Sequence, residues 1–393
     1  MDFNPEQLEA IEQIVRWFGG ASHSRKKVFF LTGRAGTGKT SLARAAAERC
    51  APPYQVVFIA PTGKAASRLR QKGCSGAKTL HQFIYNPRGE DEDGDPIFHE
   101  KGYLKDKPRL VVLDEASMVG AWDMEALLKH EIPVLALGDL GQLPPVKAPY
   151  SLTADHVDFE LTQIMRQAET SKIIQAAGFV REGKKLPYRE YADVRVREGI
   201  APIDQLLEHA DENGQILCSF NNTRLAVNQM IRHHLGFSGD TPQVGEKVMC
   251  WFNQHDRGFM NGEQGIVLAF EDIPESQQDD GDADEMQYMR IRSLTDEKER
   301  RVKFNPLSFS FDEETQKEAL KASGGFQFGY CCTVHKSQGS EWPRVLVIEE
   351  MMGDYAKMQY TAYTRAIDRL TIYRASDTRK YQSISKELNR ERA

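Results

Sequence analysis

Along residues 5 to 18 the apolar positions Leu8, Ile11, Ile14, Val15 and Phe18 recur at helical intervals, and a short β-rich run, VFFLT, follows at 28 to 32. The pattern predicts an amphipathic helix leading into a buried strand. It recurs in VVFIA (56 to 60), LVVLD (110 to 114) and VLALGD (134 to 139), each separated from the next by helical or loop sequence. Apolar runs without polar alternation belong to strands covered on both faces, so the first part of the chain is expected to be a parallel sheet between helices.

A second series opens at QILCSF (215 to 220), continues through a helical segment, and resumes at RVLVIEE (344 to 350) and RLTIYRA (369 to 375). Between its halves the character changes. VMCW, GIVLAF, QYMRIRS and RRVKF are short β-type runs set apart by turn or acidic sequence. In QYMRIRS, Met289 and Ile291 alternate with Arg290 and Arg292, the period of a half-buried strand. The expectation is a second α/β domain with a small β-barrel inserted in it.

A length of 393 residues suits two or three domains, each able to bury a core. No apolar run approaches the roughly 20 residues a membrane helix needs, so no membrane association is expected. The N-terminal MDFNPEQLEAIEQ is polar and acidic where a secretory signal is basic and then apolar, which points to the cytoplasm. The six cysteines form no C-x-x-C pair and lack accompanying histidine spacing, so they read as core thiols. The net charge of -6 weighs little against a nucleic-acid partner, because the local field along a groove matters more than the total. Much of the acidity sits in EDEDGD (90 to 95) and DDGDADE (279 to 285), which read as solvated loop tips.

GRAGTGKT (33 to 40) fits the phosphate-binding pattern G-x-x-x-x-G-K-[ST] between a predicted strand and the helix SLARAAAERC. Its glycines let the backbone N–H groups of Gly36, Thr37, Gly38, Lys39 and Thr40 wrap phosphates, with the helix N-terminus adding favourable partial charge. Lys39 is expected on the β- and γ-phosphates and Thr40 on Mg²⁺. LVVLDEAS places two carboxylates at a strand end: Asp114 to hold Mg²⁺ through water, Glu115 to orient and deprotonate the attacking water. In GDLGQLPPV, Gln142 falls at the carboxyl edge of the sheet, where it either senses the γ-phosphate or belongs to a tight turn without a ligand. The cofactors expected are ATP and Mg²⁺.

With these motifs in order stand APTGKAASRL (60 to 69), TLHQF (79 to 83), LTQIMRQ (161 to 167), TVHKSQGSEW (333 to 342) and YTAYTRA (360 to 366). Together they resemble the motif series of superfamily 1B helicases of the Dda/RecD group, over nearly the whole chain and most weakly across 170 to 210. The resemblance implies two RecA-like domains with ATP in the cleft between them. The first would span 1–165 with a small β-hairpin, the 1B pin, inserted at about 84–107. The second would comprise 166–244 and 326–393, interrupted at 245–325 by an SH3-like domain shorter than the family's usual insertion.

The resemblance further implies that Gln7 reads adenine, that Gly339 and Glu341 touch nucleotide, and that Arg166 and Arg365 reach the γ-phosphate. Thr62, Thr79, His81, Thr333 and His335 fall on motif positions that contact DNA in this family. Phe98 in the hairpin is a candidate base-stacking wedge, with inward packing on the parent domain as the alternative. The activity implied is ATP-driven translocation on single-stranded DNA, 5′-to-3′, with unwinding at duplex junctions. Single-strand-binding or replisome proteins are candidate partners, and a monomer would suffice. A nucleotide-gated clamp and a protein-remodelling ATPase are the rival classes. Glu115 disfavours the first, since a switch needs slow hydrolysis. Motifs in both halves of one chain disfavour the second.

Overall fold

The computed structural model describes residues 3–21, 26–90, 96–104, 106–145, 148–149, 151–165, 170–251, 259–271, 286–323 and 325–390. The chain divides into two compact units, one from residues 1–89 and 96–175 and one holding 176–393.

The first unit is a six-stranded parallel sheet. Its strands are β1 (Val28–Gly33), β2 (Val56–Ala60), β3 (Lys78–Thr79), β6 (Leu110–Leu113), β7 (Val134–Gly138) and β8 (Phe159–Leu161), in the spatial order β3-β2-β6-β7-β1-β8. A separate two-stranded sheet pairs β4 (Tyr85–Glu90) with β5 (Pro96–Glu100), within the span 84–107 read from the sequence as a hairpin. The central strands β1, β2, β6 and β7 are almost wholly apolar because successive side chains enter different cores. Phe29, Leu31, Val112, Leu135 and Leu137 pack with α1 (Pro5–Ala21) and α2 (Lys39–Cys50). Phe30, Val111, Leu113, Val134 and Ala136 pack with α4 (Leu80–Ile84) and α5 (Ala121–Leu128). A further helix of this unit, α3 (Gly63–Gln71), closes a small alanine-rich cluster beside β2.

One inward position differs from the periodic reading of α1. Leu8 is 43% exposed, while the polar Gln7 is 1% exposed. A buried amide is stable only when hydrogen-bonded, and Gln7 has three partners, described with the site below.

The second unit contains a five-stranded parallel sheet in the order β16-β10-β17-β18-β9, from β9 (Val194–Glu198), β10 (Gly214–Cys218), β16 (Cys331–Thr333), β17 (Trp342–Glu349) and β18 (Ala366–Arg374). The two parallel sheets bear out the expected mixed α/β class. An antiparallel sheet in the order β14-β13-β12-β11-β15 runs through β11 (Lys247–Cys250), β12 (Gln264–Glu271), β13 (Gln287–Ser293), β14 (Glu299–Phe304) and β15 (Phe326–Phe328). Met289 and Ile291 on β13 are fully buried and Arg290 is exposed, as their alternation predicts.

This antiparallel sheet shares its core with the parallel one. Val248, Val267, Ile291, Val302 and Phe304 belong to the same apolar cluster as Ile216, Leu346, Ile348 and the helix α6 (Asn221–His234). Buried polar bonds stitch the two together: Gln264 Nε2 donates to Gln215 Oε1 (2.6 Å), Trp342 Nε1 donates to Gln264 Oε1 (2.8 Å), and Lys247 Nζ donates to the carbonyl of Gly214 (2.6 Å). Among the described residues no helix is long and apolar enough to cross a membrane.

Candidate active site

Because β1, β6 and β7 run parallel and in register, their carboxyl ends fall at one edge of the first sheet: Thr32 lies opposite Gly138, and Leu113 opposite Ala136. The three candidate phosphate motifs therefore converge. The loop after β1 carries Gly36 and Gly38 at φ 82° and 79°, left-handed backbone that any Cβ would strain. Gly38 caps α2 with its backbone, so the N–H groups of the first turn point out of the loop. Thr37 is fully buried and its hydroxyl donates to the carbonyl of Arg34 (2.9 Å), which fixes the loop from within. Lys39 Nζ reaches over the loop to the carbonyls of Gly33 (2.6 Å) and Arg34 (3.0 Å).

Thr40 Oγ1 donates to Asp114 Oδ2 at 3.1 Å, across 74 residues of sequence. A hydroxyl and a carboxylate side by side are hard oxygen donors of the kind Mg²⁺ takes in ones and twos, leaving the rest of its shell to phosphate and water. Glu115 sits at φ 52°, left-handed backbone in a non-glycine residue, with its N–H donating to Asp114 Oδ1 (2.9 Å). Such a conformation costs roughly 1 to 3 kcal/mol and concentrates at functional sites.

Gln142 resolves toward a built turn that also aims a side chain. Asp139, 1% exposed, accepts from Gly141 N–H (2.9 Å) and its carbonyl accepts from Gln142 N–H (3.0 Å). Gln142 itself is 7% exposed, and among the described residues its Oε1 has no hydrogen-bond partner. A buried, unsatisfied amide oxygen costs roughly 1 to 3 kcal/mol, which suits a group completed by a ligand.

Gln7 lies against the phosphate loop. Its Nε2 donates to the carbonyl of Thr37 (3.0 Å) and to Met165 Sδ (3.1 Å), and its Oε1 accepts from Asn4 N–H (3.0 Å). The amide expected to read adenine is here spent on holding the loop. Met165 N–H donates to the carbonyl of Gly36 (3.0 Å), and Glu6 accepts from Thr162 N–H, Thr162 Oγ1 and Gln163 N–H. The last three bonds hold the Glu6 carboxyl below its ordinary value against the opposing effect of its partial burial, the largest single influence on it. Sequence reasoning missed Glu6, which carries no signal beyond its place beside Gln7. Arg166 lies outside the described residues.

The expected nucleic-acid contacts divide. Thr62 follows the carboxyl end of β2, and Thr79 is the last residue of β3. Both act as helix caps: Thr62 Oγ1 accepts from Ala65 N–H (3.2 Å), and Thr79 forms a reciprocal capping box with Gln82. Thr79 is only 2% exposed, and its hydroxyl is engaged in that capping box. His81 keeps 44% of its side chain exposed. The backbone at Phe98 is part of β5, and its side chain lies outside what is described.

In the second unit Thr333 ends β16 and is 8% exposed, with His335 in the short turn after it. Burial lowers the His335 pKa and favours its neutral imidazole. Lys336, which sequence reasoning passed over, is pushed down to about 8 by burial and lies 4.2 Å from the ring centre of Trp251. Arg365 is 2% exposed: its guanidinium donates to the carbonyls of Thr361 (2.9 Å) and Ser340 (3.1 Å), and its own carbonyl accepts from Trp342 N–H (2.9 Å). Gly339, at φ 74°, and the exposed Glu341 flank that same Ser340. The candidate residues Gly339, Glu341 and Arg365 thus form one local construction.

Comparison with known proteins places these features. A family described as an AAA domain matches residues 2–199, and one described as a UvrD-like helicase C-terminal domain matches residues 328–373. The chain is 28% identical over 393 residues to the ATP-dependent RecD2 DNA helicase of Deinococcus radiodurans, covering 93% of this chain and 48% of that protein. It spans about half the length of that relative and about a third of the conjugal transfer TraA proteins it also matches. Its fold is similar to that of Pif1 helicase from Bacteroides in complex with ADP-AlF3 and single-stranded DNA, at TM-score 0.56 and 19% identity, over all of this chain and 98% of that one. Pif1 helicase from Candida albicans is similar at TM-score 0.54 and 19% identity, with both chains fully covered.

Proposed function

We propose, because this chain belongs to the Pif1/RecD-like superfamily 1B helicases, that it couples ATP hydrolysis to translocation on single-stranded DNA and to unwinding of duplex junctions. The observation that carries the reading is the pairing of Thr40 with Asp114 at the sheet edge that also bears Lys39, Glu115 and Gln142. In this reading Lys39 binds the β- and γ-phosphates, Glu115 positions and deprotonates the attacking water, and the Gln142 amide senses the γ-phosphate. Thr40 and Asp114 would hold Mg²⁺, which supplies neutralising charge to the phosphate oxygens. Gln7 orders the phosphate loop and exchanges partners to reach adenine. Arg166 and Arg365 supply positive charge to the transferred phosphoryl group, and Gly339 and Glu341 shape the turn from which Arg365 acts.

His81, His335 and Thr62 provide short polar groups that bond DNA phosphates without reading bases, as a motor on any sequence requires. The polarity proposed is 5′-to-3′, and the working form is a monomer in the cytoplasm. Steady-state ATPase with and without single-stranded DNA tests the reading. Hydrolysis that is weak alone and rises at least tenfold with DNA is the expected result; equal rates would favour a protein remodeller.

The hairpin β4–β5 is proposed as the strand-separating pin, with Phe98 as its wedge. Phe98→Ala is expected to remove about 1 to 3 kcal/mol of base stacking, lowering strand displacement five- to a hundredfold while DNA-stimulated ATPase stays near wild type. If Phe98 instead packs inward, truncation costs about 3 to 5 kcal/mol of stability. Melting temperature and every activity then fall together, so the two measurements on one preparation decide the matter.

A further inference from the structure

Three side chains meet where α4 hands over to the hairpin. His81 and Tyr85 are four residues apart, a spacing that puts both on one side of the helix end, and their rings pack edge to face at 5.2 Å and 82°. Asp123, in the first turn of α5, lies against both: Tyr85 Oη donates to Asp123 Oδ1 (3.0 Å), and His81 Nε2 is 3.5 Å from the same oxygen. The hydrogen bond from His81 is the largest influence holding the Asp123 carboxyl below its ordinary value, with the Tyr85 bond adding to it. Burial, reinforced by Asp123, pushes the Tyr85 phenol well up. The carboxylate therefore stays an acceptor and the phenol a donor across any working pH.

The returning end of the hairpin is tied to the same helices. Lys101 N–H donates to the carbonyl of Ile84 (2.8 Å) and Lys101 Nζ to the carbonyl of Gln82 (2.7 Å), while Glu100 pairs with Lys129 at the end of α5 (2.9 Å). Both feet of the hairpin are thus fastened to the helix that presents His81.

We propose that Asp123 is a positioning residue that makes α4 and the root of the hairpin one mechanical piece, so that a strand held at His81 is aimed at the hairpin. The inference rests on the function proposed above, with His81 on the track and the hairpin as pin. Neither Asp123 nor Tyr85 touches nucleotide or DNA in this scheme; they fix the angle between two groups that do. A carboxylate serves because it accepts from both partners at once through one oxygen. A bond to a charged acceptor is also stronger than one to a neutral group.

The test is the number of base pairs opened per ATP hydrolysed, measured on a forked DNA duplex with wild type, Tyr85→Phe, Asp123→Ala and the double variant. Tyr85→Phe keeps the ring against His81 and removes only the hydroxyl. Asp123→Ala is expected to lower the ratio at least threefold with DNA-stimulated ATPase within twofold of wild type, and Tyr85→Phe to lower it less. The double variant should be no worse than Asp123→Ala, because residues acting through one contact are not additive. A purely structural role would cut ATPase and unwinding in proportion, leaving the ratio at its wild-type value. That result, or additive losses, would overturn the proposal while leaving the helicase reading intact. A wild-type protein that hydrolyses ATP but separates no strands would overturn both.

Discussion

Lys39→Ala is expected to reduce ATP turnover by a hundredfold or more while affinity for single-stranded DNA stays close to wild type. The lysine's ammonium already reaches over the phosphate loop to the carbonyls of Gly33 and Arg34. It need only turn from those oxygens to phosphate oxygens to neutralise charge that builds in the transition state. Loss of one such preorganised contact costs about 3 to 4 kcal/mol of transition-state stabilisation. The fold should survive, because Lys39 begins α2 at the surface of the loop and the core below it is made by Leu42, Ala43, Ala46 and Ala47. Turnover within tenfold of wild type would refute the phosphate-loop assignment. Glu115→Gln makes a companion case: the amide keeps the shape, loses the base and should bind ATP while hydrolysing it slowly.

The second large effect is expected at Arg365. Arginines that reach a transferred phosphoryl group are worth roughly a thousandfold or more in rate, so Arg365→Ala should abolish most DNA-stimulated hydrolysis. Here the structure adds a complication that sequence alone hides. The guanidinium is buried and bonded to backbone oxygens of Thr361 and Ser340, so truncation also removes local support for the turn bearing Gly339 and Glu341. Arg365→Lys separates the two contributions. It keeps the charge, loses the planar fork, and should recover part of the rate if charge on phosphate is the cause. If both variants lose rate only in step with melting temperature, Arg365 is a structural residue.

How far the sequence could be read depends on what constrains each position. The strands Val28–Gly33, Leu110–Leu113 and Val134–Gly138 were legible because burial on both faces leaves unbroken apolar runs. The three-residue strand Cys331–Thr333 was not, being too short to show a period. Val194–Glu198 does alternate, with Val194 and Val196 buried between Arg195 and Arg197, but five residues in a weakly patterned stretch gave it little contrast. The phosphate motifs were legible for another reason: the chemistry demands particular residue types at fixed spacing, so Lys39, Thr40, Asp114 and Glu115 stood out before any fold was known.

Roles set by tertiary contact were hidden. Leu8 looks like a core residue by period yet is exposed, and Gln7 looks like a surface residue yet is buried against Thr37 and Met165. Thr79 matches a contact motif and turns out to be a buried cap. The meeting of Asp123 with His81 and Tyr85 spans about forty residues, and Trp251 meets Lys336 from still farther away. No local pattern carries such pairs.

The most direct test of the central claim is strand displacement on duplexes bearing a single-stranded tail on one side or the other, run in parallel with and without ATP. The account predicts ATP-dependent displacement from the 5′-tailed duplex, little from the 3′-tailed one, and none by Lys39→Ala. Robust DNA-stimulated hydrolysis with neither duplex opened would contradict it.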